Sequence, residues 1–179
     1  MTPSLTSRPV AEPMLVAAEQ LVARLPVYRT LVSLVAVSDS LVGVAVSDVY
    51  LSCARPLPSA ATAALPSATQ LAAAHQCGAL VLGLPFSAGG LHKEHTARQQ
   101  RLAALVKADS QLLVCAFGPA QPPTAAELAQ RHRDNLLWEQ TGLEELGKHG
   151  EARDASIMAA LVLQVFLDDH AGGWANTSG

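Results

Sequence analysis

A single mixed β-sheet with helices on both faces is the α/β architecture this sequence predicts, and three features carry the prediction. Two β-rich runs, residues 31–37 and 42–46, flank a Ser38-Asp39-Ser40 turn and read as a hairpin. Two later apolar runs, residues 79–82 and 111–117, are short and lack alternation, as strands buried on both faces do, and helical spacing precedes each. The chain has 179 residues, 50% of them apolar and 15% charged, which suits one core rather than two.

Taken in order, Pro13 fits the first turn of a helix that runs to about residue 25. Leu15, Ala18, Val22 and Leu25 share one face of it, which should dock on the domain, and Pro26 ends it. Beyond the hairpin, Tyr50, Leu51 and Cys53 extend it with a third strand. Residues 56–66 are rich in Pro, Ser and Ala and read as a loop. Ser67 then caps a helix through Gln76, with Gly78 just past its end. The strand at 79–82 runs into Gly83, Leu84 and Pro85 and a loop, Ser87-Ala88-Gly89-Gly90, of the kind that carries sites. Residues 96–107 have helical spacing at Leu102, Leu105 and Val106, and a further helix is expected over 124–133. The last helix spans about 154–169. The expected organisation is an N-terminal extension over 1–30, one domain over 31–170 and a frayed tail over 171–179.

Several functions lose support on composition. A net charge of −3 provides no global attraction to phosphate, so nucleic-acid contact needs a local basic patch or bound metal ions. Cys53, Cys77 and Cys115 form no CxxC pair and read as buried reduced thiols. The longest apolar stretch, 157–167, carries Gln164 and falls short of the about 18 residues a membrane span needs, so membrane insertion is not expected. His92 and His95 lack a third zinc ligand, Ser47 and Asp48 form no triad, and no Walker or dinucleotide glycine motif is present. Arg8, Arg24 and Arg29 against Glu12 and Glu19 give the start only a faint likeness to an organelle transit peptide, which sets a mitochondrial matrix location slightly ahead of the cytoplasm.

Three segments occur together in a telling order: Val42-Gly43-Val44-Ala45-Val46-Ser47-Asp48, Leu80-Val81-Leu82-Gly83-Leu84-Pro85 with Gly89-Gly90, and the stretch 154–167 with Ala159-Ala160 and Leu163-Gln164. With Ala54-Arg55-Pro56-Leu57 between them, they resemble the YqgF/RuvX family of the RNase H-like fold, Holliday-junction resolvase-like proteins and nucleases that mature small-subunit ribosomal RNA. The resemblance covers about residues 31–169 and implies an RNase H-like sheet. It also implies converging carboxylates that hold Mg²⁺ or Mn²⁺ for phosphodiester hydrolysis.

The carboxylates are where this sequence departs from the family. An ungapped count from Gly43 puts Ala36 at the first acid. Around Ala120, where the family has its second acid, no carboxylate occurs between Asp109 and Glu127, and Glu127 reads as an exposed helix carboxylate. Asp154, preceded by Lys148 and Arg153, matches the last acid, although counting back from Leu163-Gln164 reaches Ala155; Asp154 also reads as a helix N-cap. Asp39 reads as a turn residue. Arg98, Arg101, Lys148 and Arg153 are the candidate RNA contacts, with Lys107, Arg131 and Arg133 nearby in sequence. The expectation is therefore a degenerate nuclease without a resident cofactor, whose partner is ribosomal RNA or a ribonucleoprotein. The alternatives are an active Mg²⁺- or Mn²⁺-dependent ribonuclease using Asp39, Asp48 and Asp154, and a protein-interaction subunit without RNA contact.

Overall fold

Strand β1 (Thr30–Ala36) is the centre of the sheet, because its sequence Thr-Leu-Val-Ser-Leu-Val-Ala offers an apolar side chain to both faces. In the computed structural model, which describes residues 15–84, 93–106, 112–118 and 150–171, every residue of β1 is buried. β2 (Leu41–Ser47) and β3 (Ala54–Ala61) continue from it as an antiparallel meander. β4 (Cys77–Gly83) and β5 (Leu113–Phe117) lie parallel on its other side, giving the order β3-β2-β1-β4-β5 among the described residues.

Alternation along the strands sorts their side chains into two cores. Leu31, Val35, Ala45, Ala79 and Val81 face α4 (Glu151–His170), with α1 (Ala18–Arg24) beside it. Val32, Leu34, Ala36, Val42, Val44, Leu80 and Leu82 face α2 (Ala68–His75) and α3 (Lys93–Val106). Both faces are therefore covered, as the sequence predicts, and hairpin, parallel βα units and layering together make an RNase H-like fold.

Gly43 shows why the glycine of the first motif is needed. A Cβ there would lie 2.0 Å from the Ala155 carbonyl oxygen, so only glycine lets the first turns of α4 rest on β2. Farther along, Gln164 is fully buried: its Oε1 accepts from Ala54 N at 2.9 Å and its Nε2 donates to Ser52 O at 3.1 Å. One polar side chain thus fastens an otherwise apolar helix to the start of β3.

The structure corrects several boundaries. The third strand is not at Tyr50 to Cys53, which form a turn, but at Ala54–Ala61, overlapping the stretch 56–66 read as a Pro-rich loop. It tolerates Pro56 and Pro58 because β3 lies at the edge of the sheet among the described residues, and the pairing with β2 shifts register beside Pro58. α1 is shorter than expected: Leu15 is half-exposed and bridges to Val114 of β5, while Leu21 is the fully buried anchor. Gly78 lies within β4, and Gln76 takes the left-handed cap position at φ 54°. The Ser67 cap stands, as a capping box with Gln70. α4 begins three residues before Asp154, with Gly150 as N-cap, so Asp154 is not the cap. The expected helix over 124–133, the loop 85–90 and the tail from 172 lie outside the described residues.

Candidate functional site

The hairpin turn and the end of β1 are where the resemblance puts the first acid. Ala36 pairs with Val42, and its methyl group joins the core on the α2/α3 face. The neighbours that face α4 are Val35 and Val37. In this register a side chain at position 36 points away from α4, whatever its chemistry.

Ser38 Oγ closes the turn by accepting from Leu41 N at 3.2 Å. Asp39 projects toward α3, where Arg98 Nε donates to its Oδ1 at 3.1 Å and Arg101 Nη1 lies 3.7 Å away. Arg98 Nη1 is also 3.4 Å from His95 Nδ1. An open cleft of about 340 Å³ lies between the turn and α3, with Ala36, Val42 and Leu102 in its apolar floor and Asp39, Arg98 and Arg101 on its rim. Arg98 is largely buried against Asp39, whereas Arg101 stays 66% exposed and can meet an anion. The arrangement sets two guanidinium groups at the rim beside an apolar floor, and guanidinium forks suit anionic groups.

The three acids of the nuclease alternative occupy separate places. Asp39 is at the hairpin turn. Asp48 follows the other end of β2, where its carboxylate accepts from Ser52 N at 2.7 Å, Ser52 Oγ at 2.6 Å and Cys53 N at 3.1 Å, closing the β2–β3 turn. Asp154 is in α4 on the opposite face from α3, its amide donating to Gly150 O at 3.2 Å. Its neighbour Ala155 is buried against Gly43. Among the described residues no three His, Cys, Asp or Glu side chains gather as a metal site. Asp39, Asp48 and Asp154 lie too far apart in the fold to hold one Mg²⁺ or Mn²⁺ pair between them.

Of the candidate RNA contacts, the structure brings Arg98 and Arg101 together on α3. Arg153 belongs to α4, on the other face of the sheet. Lys148, Ala120, Glu127 and His92 lie outside the described residues, as do Lys107, Arg131 and Arg133. Sequence reasoning missed two buried polar ties: Gln99 Nε2 donates to Leu82 O at 2.7 Å, and Ser47 Oγ accepts from Leu31 N at 2.8 Å. The signal for Gln99 was a glutamine on the apolar stripe of an amphipathic helix. All three cysteines are free and buried. Burial pushes the Cys77 thiol up to about 11; burial, then the Glu19 carboxylate, does the same for Cys115, also to about 11, so neither is a nucleophile near neutrality.

No protein-family model matches the sequence, and no curated protein sequence does. Among solved structures the chain is similar to T. thermophilus RuvC in complex with Holliday junction substrate, at 13% identity and a TM-score of 0.44, over 79% of this chain and 95% of that one. It is also similar to the yeast mitochondrial Holliday junction resolvase Ydc2, at 11% identity and a TM-score of 0.43, over 85% of this chain and 86% of that one. No helix among the described residues is long and apolar enough to cross a membrane.

Proposed function

We propose that this protein is a catalytically degenerate YqgF/RuvX-like chain that acts as an RNA- or ribosome-associated binding, structural or assembly component, with the mitochondrial ribosome as the favoured setting. The observation that carries the reading is the end of β1. Val35 and Val37 face α4 there, and Ala36 faces the other way, so β1 offers no carboxylate to pair with Asp154. Two-metal hydrolysis needs acids from several elements converging on one point. The rim of Arg98 and Arg101 beside an apolar floor supports binding in its place, with Lys148 and Arg153 as further proposed contacts.

The test combines cleavage with association. Purified protein is incubated with structured and single-stranded RNA in Mg²⁺, Mn²⁺ or EDTA, beside an Asp154→Ala variant, and is sedimented with small ribosomal subunits. Co-sedimentation without cleavage is the expected result. Metal-dependent cleavage that vanishes in Asp154→Ala would reject degeneracy in favour of a rebuilt nuclease, and absence of any RNA or ribosome association would reject the binding role.

A further inference from the structure

Two features of the cleft between the hairpin turn and α3 go unexplained by anion binding alone. The first is Leu105. Helix α3 turns Leu102 and Val106 into the sheet, where both are buried, yet Leu105 stays 55% exposed at the cleft. It lies four residues beyond Arg101, one helical turn, so a leucine and a guanidinium stand side by side on the same stripe of the helix. A lone exposed leucine is ordinary. Set beside Ala104, and above a floor of Ala36, Val42 and Leu102, it carries an apolar surface out of the core to the rim.

The second feature is the difference between the two arginines. Arg98 is largely buried, and its Nε donates to Asp39 Oδ1 at 3.1 Å. Arg101 is 66% exposed, and its Nη1 stays 3.7 Å from the same oxygen, too far for a hydrogen bond. Asp39 therefore offsets Arg98 and leaves the Arg101 fork open to a second carboxylate. The rim is not a broad positive surface; it is one guanidinium beside one leucine.

We propose that this cleft docks an acidic segment of a protein partner, an aliphatic side chain of the segment covering Leu105 and entering over the floor while a neighbouring carboxylate takes the Arg101 fork. An aliphatic anchor and an acid one helical turn apart, as an amphipathic helix presents them, match the spacing of Leu105 and Arg101. The lining favours a peptide over RNA. Its described residues include no aromatic ring on which a base could stack, and Asp39, 71% exposed on the rim, repels a run of phosphates more than it repels one carboxylate. At about 340 Å³ the cleft is at the small end of ligand pockets, which span about 300–1,000 Å³, and suits an anchoring side chain. The proposal rests on the reading of this rim as a binding surface and names its partner as a protein component of the ribonucleoprotein.

The probe is a fluorescein-labelled, alanine-based peptide of about 15 residues carrying leucines, each with a glutamate one helical turn away, followed by anisotropy on the full chain. Versions with lysine for glutamate and with alanine for leucine are the controls. The glutamate peptide should bind, and each control should bind about tenfold more weakly. Leu105→Gln and Arg101→Gln alter exposed side chains, so loss of folding does not mimic loss of binding, and each should weaken the glutamate peptide about tenfold. Arg101→Glu should reverse the preference toward the lysine peptide. Binding by all three variants within about twofold of wild type would overturn the site, as would self-association of the chain that Leu105→Gln abolishes. Failure of the peptide to bind, while oligouridine or small ribosomal subunits still do, would overturn the docking site and leave the RNA- or ribosome-associated reading standing. If peptide, oligouridine and ribosomal subunits all fail to bind, both readings fall.

Discussion

The two faces of the sheet are built from similar β-strands yet solve different problems. The α4 face is closed: Phe166, Leu163, Leu167 and Ile157 are essentially fully buried, and Phe117 meets Phe166 edge-on at 5.2 Å between centroids. Gln164 is its internal polar tie, while the buried Ser33 and Ser156 hydroxyls have no hydrogen-bond partner among the described residues. The α3 face is closed over Leu34, Leu80 and Leu82 but opens at its rim, where the hairpin turn and α3 leave a cleft bordered by charge. Where β1 meets α4 the strand presents Val35 and Val37, both apolar. The charged groups Asp39, Arg98 and Arg101 lie at the rim of the other face.

The sharpest way to break this contrast is to hollow the closed face. Phe166→Ala should cost about 3–5 kcal/mol in denaturant unfolding, because a fully buried ring leaves a cavity that cannot collapse between α4 and β5. A loss below about 1 kcal/mol would mean the face is not packed as described. Gln164→Leu should cost about 3 kcal/mol despite adding apolar surface, since Ala54 N and Ser52 O lose their buried partner. Thermal melts read this directly, and a neutral outcome would remove the tie from the account.

Alkaline pH probes the α2/α3 face at its own buried thiol. Unfolded, Cys77 loses its proton above about 9; folded, burial holds it to about 11. Between these values the unfolded state binds fewer protons, so stability falls as pH rises, by on the order of 2 kcal/mol for this group. Cys115 acts in the same direction. Cys77→Ala should flatten the decline, and an unchanged slope would assign it elsewhere.

Ser33 predicts a change of opposite sign. Its hydroxyl is fully buried and has no hydrogen-bond partner among the described residues, so Ser33→Ala should stabilise by about 1 kcal/mol, where a satisfied serine would show a loss. At the open rim Asp39→Asn should move stability by less than about 0.5 kcal/mol, because the pair with Arg98 is water-screened. Its effect belongs to binding: anion affinity at Arg98 and Arg101 should rise in titrations at low salt.

The same contrast separates what was legible in the sequence. Strands β1, β2, β4 and β5 and helices α2 and α3 could be read within about three residues, since an apolar run between turn residues and a Ser67 cap are local signals. β3 could not, because Pro56 and Pro58 read as breakers until the strand is known to lie at an edge. The residue types around the site were legible, including Ala36 at the expected acid. The side to which Ala36 points was not, as it depends on pairing Val35 with Gly43, a contact between strands.

The two outer strands bear on how the chain behaves in a crowd. An unprotected strand edge offers free amides and carbonyls to any passing chain and seeds aggregation. Here Pro56 and Pro58 remove donors along β3. On β5 the Leu15–Val16 segment adds a bridge, with Val16 N donating to Val114 O at 2.9 Å. A truncation that removes the first 17 residues uncovers the β5 groups that Leu15 and Val16 meet and should aggregate more readily than the full chain.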